Sequence, residues 1–233
     1  MPLLRFVVGL TPARAAGTCV LAVFFTTLGG SYRHYRLGHL NVRYIVPVIL
    51  SGAAATAIFS VAFVSLASRG RWLDLGIGLV LSLVSVRMIV EGIPGLVAPG
   101  ADQHHELVLR SSLLQKATIG GAAGILPGLL GIGTGVILVP AFTFILNLPI
   151  KIAIASSLAS FCVNSFISSS FKLVQGFIAL DVALPICAGT LLGSNVGAIL
   201  NKRFESRTVK LLFGVVFSFV SLRFILSFLQ GYP

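Results

Sequence analysis

From Gly120 to Pro140 almost every side chain is apolar, yet the stretch carries seven glycines and two prolines, with Thr134 its one hydroxyl. Such a run belongs in a bilayer, but Gly131, Gly133 and Gly135, between Pro127 and Pro140, cannot sustain one straight helix through it. Inside a membrane, backbone that leaves the helical ladder is tolerated only where protein buries it or where it lines a cavity. Interrupted helices of this kind gather around the substrate sites of transporters. The run therefore predicts a membrane protein with a helix broken where something binds.

Composition supports the first half of that reading. The 233 residues are 56% hydrophobic and 10% charged, with mean hydropathy +1.02, whereas a soluble domain carries about 25% charged residues. The formal net charge of +11 does not indicate nucleic acid, because the basic residues are scattered between apolar segments and form no patch interleaved with aromatics. Basic connections between spans are what the positive-inside rule and anionic lipid predict. Cys19, Cys162 and Cys187 lie within apolar segments without CxxC spacing, so they read as small hydrophobes. No metal, cofactor or disulfide is expected. Paired carboxylates, an HExxH element and a nucleophile with an evident base are all missing, so an enzyme is not expected.

Apolar spans run from Ala13 to Tyr32, Tyr44 to Ser68 and Leu73 to Ile93. After the glycine-rich segment Leu113 to Leu148 come Ile152 to Val174, Ile178 to Leu200 and Thr208 to Leu229. The two sets look like copies. Leu83-Val84-Ser85-Val86-Arg87-Met88-Ile89 returns 136 positions later as Phe219-Val220-Ser221-Leu222-Arg223-Phe224-Ile225. Pro12, Arg14 and Ala16 match Pro149, Lys151 and Ala153 at an offset of 137, and Gly38 and Pro47 match Gly176 and Pro185 at 138. The chain divides accordingly into a first repeat (1–93), a polar connection (94–112) and a second repeat (113–233). Pro2 aligns with Pro140, so the first repeat has no counterpart of Lys116 to Leu138. That predicts an N-terminally truncated first repeat, as a late start would produce.

Charge placement fixes the topology. Lys116 to Leu148 is too short for two full spans, which need about 40 residues, and too broken for one. A re-entrant hairpin puts Arg33, Arg36, Arg43, Arg110, Lys116, Lys151, Lys202, Arg203, Arg207 and Lys210 on one side, and Arg14, Arg69, Arg71 and Lys172 on the other. That ten-to-four split obeys the positive-inside rule, whereas a single crossing would give six to eight. The expected fold is an all-α integral membrane protein with two inverted-topology repeats, about seven helical segments and a broken glycine-rich re-entrant hairpin.

Candidate site residues follow from the break. A half-helix beginning near Gly133 to Gly135 points free N–H groups and its positive dipole end at the midplane, where they favour an anion. Gly131, Gly133, Thr134 and Gly135 are the expected contacts, while Gly120, Gly124 and Gly128, four apart, suit close helix packing. Ser156, Ser157, Ser160, Asn164, Ser165, Ser168, Ser169 and Ser170 load one span with polar groups. Ser157, Ser160, Asn164 and Ser168 fall on one face by three- and four-residue steps. Ser156, Ser157 and Asn164 are the site candidates there, with hydrogen bonding between helices the competing use of such groups. Ala15 to Cys19, with Thr18, is the symmetry-related wall. Arg87 and Arg223 occupy equivalent places and read as snorkelling cations. Asp74 and Asp181 lie near span starts, so no buried carboxylate relay is expected.

Gly128-Leu-Leu-Gly131-Ile-Gly133-Thr134-Gly135-Val-Ile-Leu-Val-Pro140 is followed by Pro149-x-Lys151-x-Ala153-x-Ala155-Ser156-Ser157 and then by Gly176 before a new span. With Thr11-Pro12-x-x-Ala15-Ala16-Gly17-Thr18 and Gly38 in the first half, this pattern resembles the TauE/SafE sulfite exporter family over essentially the whole chain. Thr134 stands where that family often has glycine. The resemblance implies a multi-pass permease of the bacterial or archaeal cell inner membrane, moving sulfite, organosulfonates or similar sulfur-containing anions. The expected partners are a small anionic substrate and the lipid bilayer. A homo-oligomer is compatible with the sequence and not fixed by it. The alternative function is a non-transporting membrane scaffold or truncated transporter subunit.

Overall fold

The computed structural model describes residues 1–36, 42–93, 112–131, 138–139, 141–146, 148, 150–201 and 206–230. Among these, no strand occurs, and the chain forms helices α1 (Pro2–Phe6), α2 (Pro12–Arg36), α3 (Val42–Ala67), α4 (Gly70–Gly92) and α5 (Leu113–Leu129). A π-helical turn, Ala141–Ile145, precedes α6 (Ile150–Val174), α7 (Leu180–Asn201) and α8 (Ser206–Gln230). Five of the helices, α2, α3, α4, α6 and α8, are long and apolar enough to cross a membrane. At 1.5 Å per residue, their 23 to 26 residues reach about 35–39 Å, more than the hydrocarbon thickness of a bilayer. Large apolar side chains face outward along them, among them Leu50, Ile58, Leu83 and Phe219, each more than 60% exposed to the lipid position. Most of the polar connection, residues 94–111, lies outside the described residues.

Helix boundaries follow local chemistry. Ser112 caps α5: its Oγ accepts from the Leu114 N–H at 3.3 Å, and Gln115 Oε1 accepts the Ser112 N–H at 3.2 Å, closing a capping box. α6 stops at Gly176, whose φ of +76° only glycine adopts readily. There Phe177 N–H bonds Lys172 O and Gly176 N–H bonds Leu173 O, the paired bonds of a Schellman ending.

The contacts define each helix's direction. Ile119 and Ala123 of α5 share a core with Val48 near the start of α3, with Ala153 near the start of α6, and with Leu138, Phe142 and Leu146. The segment after the glycine break therefore lies back along the first half of α5. Farther on, Ser168 and Lys172 of α6 reach Pro127 and Gly128 at the other end of α5. Helices α5 and α6 start on one side of the bundle, so the chain enters and leaves the glycine-rich segment there, as a re-entrant hairpin requires.

Each helix of the first half runs opposite to its counterpart. Gly17 of α2 abuts the Phe177 carbonyl after α6, while Phe24 stacks on Phe166 and Gly30 meets Leu158. α3 ends where α7 begins: Gln175 Nε2 donates to Ser60 O at 2.9 Å, and the Ala179 N–H donates to Thr18 Oγ at 3.1 Å. For α4 and α8 the relation is reciprocal. Ser85 Oγ donates to Gly214 O at 2.7 Å, and Ser221 Oγ donates to Gly78 O at 2.9 Å. Both residues of one bond sit 136 positions from their counterparts in the other. A methyl placed at Gly78 would stand 3.0 Å from Ile225, and one at Gly214 would stand 2.6 Å from Ile89, the same exchange again.

One expectation fails. Lys172 is not a charge on the less basic face: it is fully buried inside the bundle. Removing it from the tally leaves ten to three, so the positive-inside asymmetry strengthens.

The α3–α5 crossing depends on small residues. Gly120 meets the Val48 carbonyl and Ser51, Gly124 meets the Gly52 carbonyl and Ala55, and Gly128 meets Phe59 and Thr56. Thr56 Oγ donates to Gly124 O at 3.0 Å across the seam. Without a hydrophobic force between helices in lipid, such backbone approach supplies the packing. Gly124→Val is expected to abolish monodisperse, folded protein in detergent. Gly121→Val is expected to melt like wild type, because among the described residues no atom outside its own helix lies within 4 Å of its methyl position. Size-exclusion profiles and thermal melts of the pair check this.

Candidate functional site

α5 ends inside the bundle. Pro127 lacks the N–H that would continue the helical ladder. The Leu130 N–H still reaches Leu126 O at 2.8 Å, and Gly131 then turns the chain with φ +65°. A Cβ there would stand 2.6 Å from Ala16 O, so the glycine satisfies both the left-handed conformation and the close approach of α2. This juxtaposition brings Gly131 against the Ala15 to Cys19 stretch. Gly133, Thr134 and Gly135 lie outside the described residues.

The last carbonyls of a helix have no intrahelical donors. Here α6 supplies them. Lys172 Nζ donates to Pro127 O and to Gly128 O, both at 2.8 Å, and to Ser168 Oγ at 2.7 Å. Ser168 Oγ in turn donates to Pro127 O at 2.6 Å, and the ring of Phe63 lies 4.4 Å from the ammonium. Lys172 was readable from the sequence only as a basic residue near a span's end. Its position four residues after Ser168, which continues the Ser156, Ser160, Asn164 spacing, is the signal that marks it.

The hydroxyls of α6 separate into groups. Ser157, Ser165, Ser169 and Ser170 donate to carbonyls three or four residues back in their own helix, at 2.7 to 3.1 Å. Ser168 bonds across to α5. Ser156 Oγ, Ser160 Oγ, Asn164 Nδ2 and Asn164 Oδ1 are buried with no partner among the described residues. These three residues are at most 1% exposed. Ser156, Ser160, Asn164, Ser168 and Lys172 therefore form a row at four-residue steps, rather than one beginning at Ser157, and it winds about 40° round the helix at each step. It extends about 24 Å along the helix axis. Asn164 fits because α3 carries Gly52 opposite it: a methyl there would stand 3.0 Å from Nδ2.

The other candidates fall elsewhere. Thr18 is buried, and its Oγ accepts the Ala179 N–H that opens α7. Arg223 lies over the Phe219 ring at 5.7 Å, facing outward. Asp181 is exposed. Asp74 lies near the start of α4, as expected, but it is buried, 2% exposed, and pairs with Arg5 at 3.3 Å. Arg5 also donates to Leu10 O. The pair ties α1 to α4, a link invisible to sequence spacing because 69 residues separate its members. Among the described residues no group of three His, Cys, Asp or Glu could hold a metal ion.

Among the described residues the buried carboxylate is Asp74, and it is held by Arg5. The arrangement places buried hydroxyl and amide groups on the same helix as a buried lysine.

Comparison with known proteins gives a consistent picture. The profile of the family described as "Sulfite exporter TauE/SafE" matches residues 1–224. "Probable membrane transporter protein YunE" of Bacillus subtilis (strain 168) is 24% identical over 219 residues, covering 88% of this chain and 78% of its own. A "Probable membrane transporter protein" of Xylella fastidiosa (strain 9a5c) is 30% identical over 208 residues, covering 88% and 76%. A third relative, "Probable membrane transporter protein YdhB" of Bacillus subtilis, is 26% identical over 184 residues, covering 79% and 73%. No solved structure gives a significant match.

Gly131→Ala is expected to destabilise the fold by more than about 1 kcal/mol, the cost of forcing an L residue into the left-handed region. Gly176→Asn is expected to be tolerated, since its surroundings are open and Asn visits that region. Chemical or thermal unfolding in detergent compares the two.

Proposed function

The chain belongs to the TauE/SafE sulfite exporter family and is a multi-pass membrane transporter; from that premise we propose that its cargo is a small sulfur-containing oxyanion such as sulfite or an organosulfonate. Export across the cell inner membrane, by alternating access, is the direction and mechanism this reading assigns.

The observation that carries the proposal is the set of unpartnered polar atoms on Ser156, Ser160 and Asn164. A buried polar group left unpaired costs about 1–3 kcal/mol, so a row of them calls for an occupant. Two hydroxyls and a side-chain amide can donate to an oxyanion without the tight grip of a full countercharge at each point. This reading assigns the backbone contacts, which replace part of the anion's hydration, to Gly131, Gly133, Thr134 and Gly135, whereas Thr18 and Ser157 are held by bonds to Ala179 N–H and Ile154 O.

The row is closed to solvent in this conformation, so an anion can reach it only if helices move apart. The antiparallel pairing of the two halves provides a way: rocking one repeat against the other opens the site to each side in turn. The reciprocal Ser85 and Ser221 bonds mark the seam along which the halves meet.

Sulfite efflux from proteoliposomes containing this chain, compared with empty liposomes, tests the assignment. Saturable efflux is expected. Asn164→Leu in folded protein is expected to lower it about tenfold, the equivalent of one lost buried hydrogen bond, and Gly133→Leu is expected to abolish it. Ser157→Ala is expected to leave it nearly unchanged, because that hydroxyl already bonds Ile154 O at 2.8 Å. Folded protein with neither flux nor sulfite-dependent stabilisation would favour the scaffold reading instead.

A further inference from the structure

We infer that Lys172 is itself a ligand of the transported anion, the charged contact at the end of the Ser156–Asn164 row; this rests on the oxyanion reading above.

Lys172 sits two residues before the end of α6, next to Leu173 and Val174, which are 49% and 90% exposed. A lysine so placed ordinarily snorkels outward to the interface. This one turns the other way. Its ammonium bonds Ser168, one turn back, and so points along the helix toward Asn164 and the glycine break. The side chain is fully buried.

Every partner it has there is neutral: two carbonyl oxygens, one hydroxyl and the face of Phe63. Those groups satisfy its N–H donors and leave its charge without a counterion. Among the described residues the buried carboxylate is Asp74, and it belongs to Arg5. An ionisable residue inside a membrane marks a substrate or ion path, with a partner to be named. The partner that fits is an anion lying between Nζ and the Asn164 amide. Ser168 and Asn164 are about 6 Å apart along the helix axis. An oxyanion accepting at about 2.8 Å from a donor at each level spans that gap.

When the anion arrives, the ammonium exchanges one α5 carbonyl for an anion oxygen. Binding at the row is thereby linked to the end of α5 and to the glycine break beyond it. An unoccupied protein keeps the same ammonium as a cap on α5, which explains how a lone buried charge is tolerated between transport cycles.

Lys172→Gln separates the two roles, because its amide can still donate to the α5 carbonyls but carries no charge. Affinity for sulfite and for isethionate is measured on purified protein by calorimetry and by ligand-induced thermal shift, with melting of the unliganded protein as the control. Lys172→Gln and Lys172→Met are expected to weaken binding of both anions at least about tenfold, the loss of a charge-assisted hydrogen bond. Lys172→Arg is expected to stay within a few-fold of wild type.

A folded Lys172→Gln that binds both anions as wild type does overturns the inference and leaves Lys172 as a helix cap. So does failure of both uncharged variants to fold while Lys172→Arg folds. Wild-type protein that binds neither anion overturns the oxyanion reading itself, and this assignment with it.

Discussion

The carbonyl oxygens of Pro127 and Gly128 end a helix inside the bilayer, where no water is present to receive their hydrogen bonds. An unsatisfied backbone group there costs several kcal/mol, so something in the protein must reach them. Ser168 and Lys172 do. Because both donors are on α6, this one cluster fixes the depth of α6 relative to α5. The same row carries Asn164 to the level of Gly52 on α3. Capping the broken helix and placing the polar row are thus a single structural act.

Around that cluster the molecule is built twice, in opposite directions. The Ser85 and Ser221 bonds exchange partners between α4 and α8, and the glycines opposite them do the same. α2 and α6 pair with each other, whereas α3 meets α6 and α7 meets α2, a further exchange. Such pairing makes the two halves near-equivalent bodies meeting at a seam. The cap itself lies within one half, between α5 and α6.

The serines of α6 show why composition alone does not define a site. Eight polar side chains share the helix, but four of the hydroxyls are consumed by its own carbonyls and Ser168 is consumed by α5. A hydroxyl bonded three or four residues back is invisible to its neighbours and costs the helix little. What distinguishes Ser156, Ser160 and Asn164 is a buried place with no partner among the described residues.

Much of this could be read from the amino acids. Apolar length sets the spans, and each helix from α2 to α8 begins within three residues of its expected segment because about twenty apolar residues must cross the hydrocarbon. The glycine and proline positions set the break, since backbone conformation at Gly131 and Gly176 is a property of the residue itself. Repetition at offsets of 136 to 138 foretold the antiparallel halves. The tertiary structure alone decided which polar groups stay unbonded: Ser157 turns back to the Ile154 carbonyl of its own helix, whereas its neighbour Ser156 is buried with no partner among the described residues. It alone brought Arg5 to Asp74, and it alone turned Lys172 inward to α5. Sequence records what a side chain is and how often its kind recurs. Who meets whom across a helix seam depends on packing between segments that are distant in the chain.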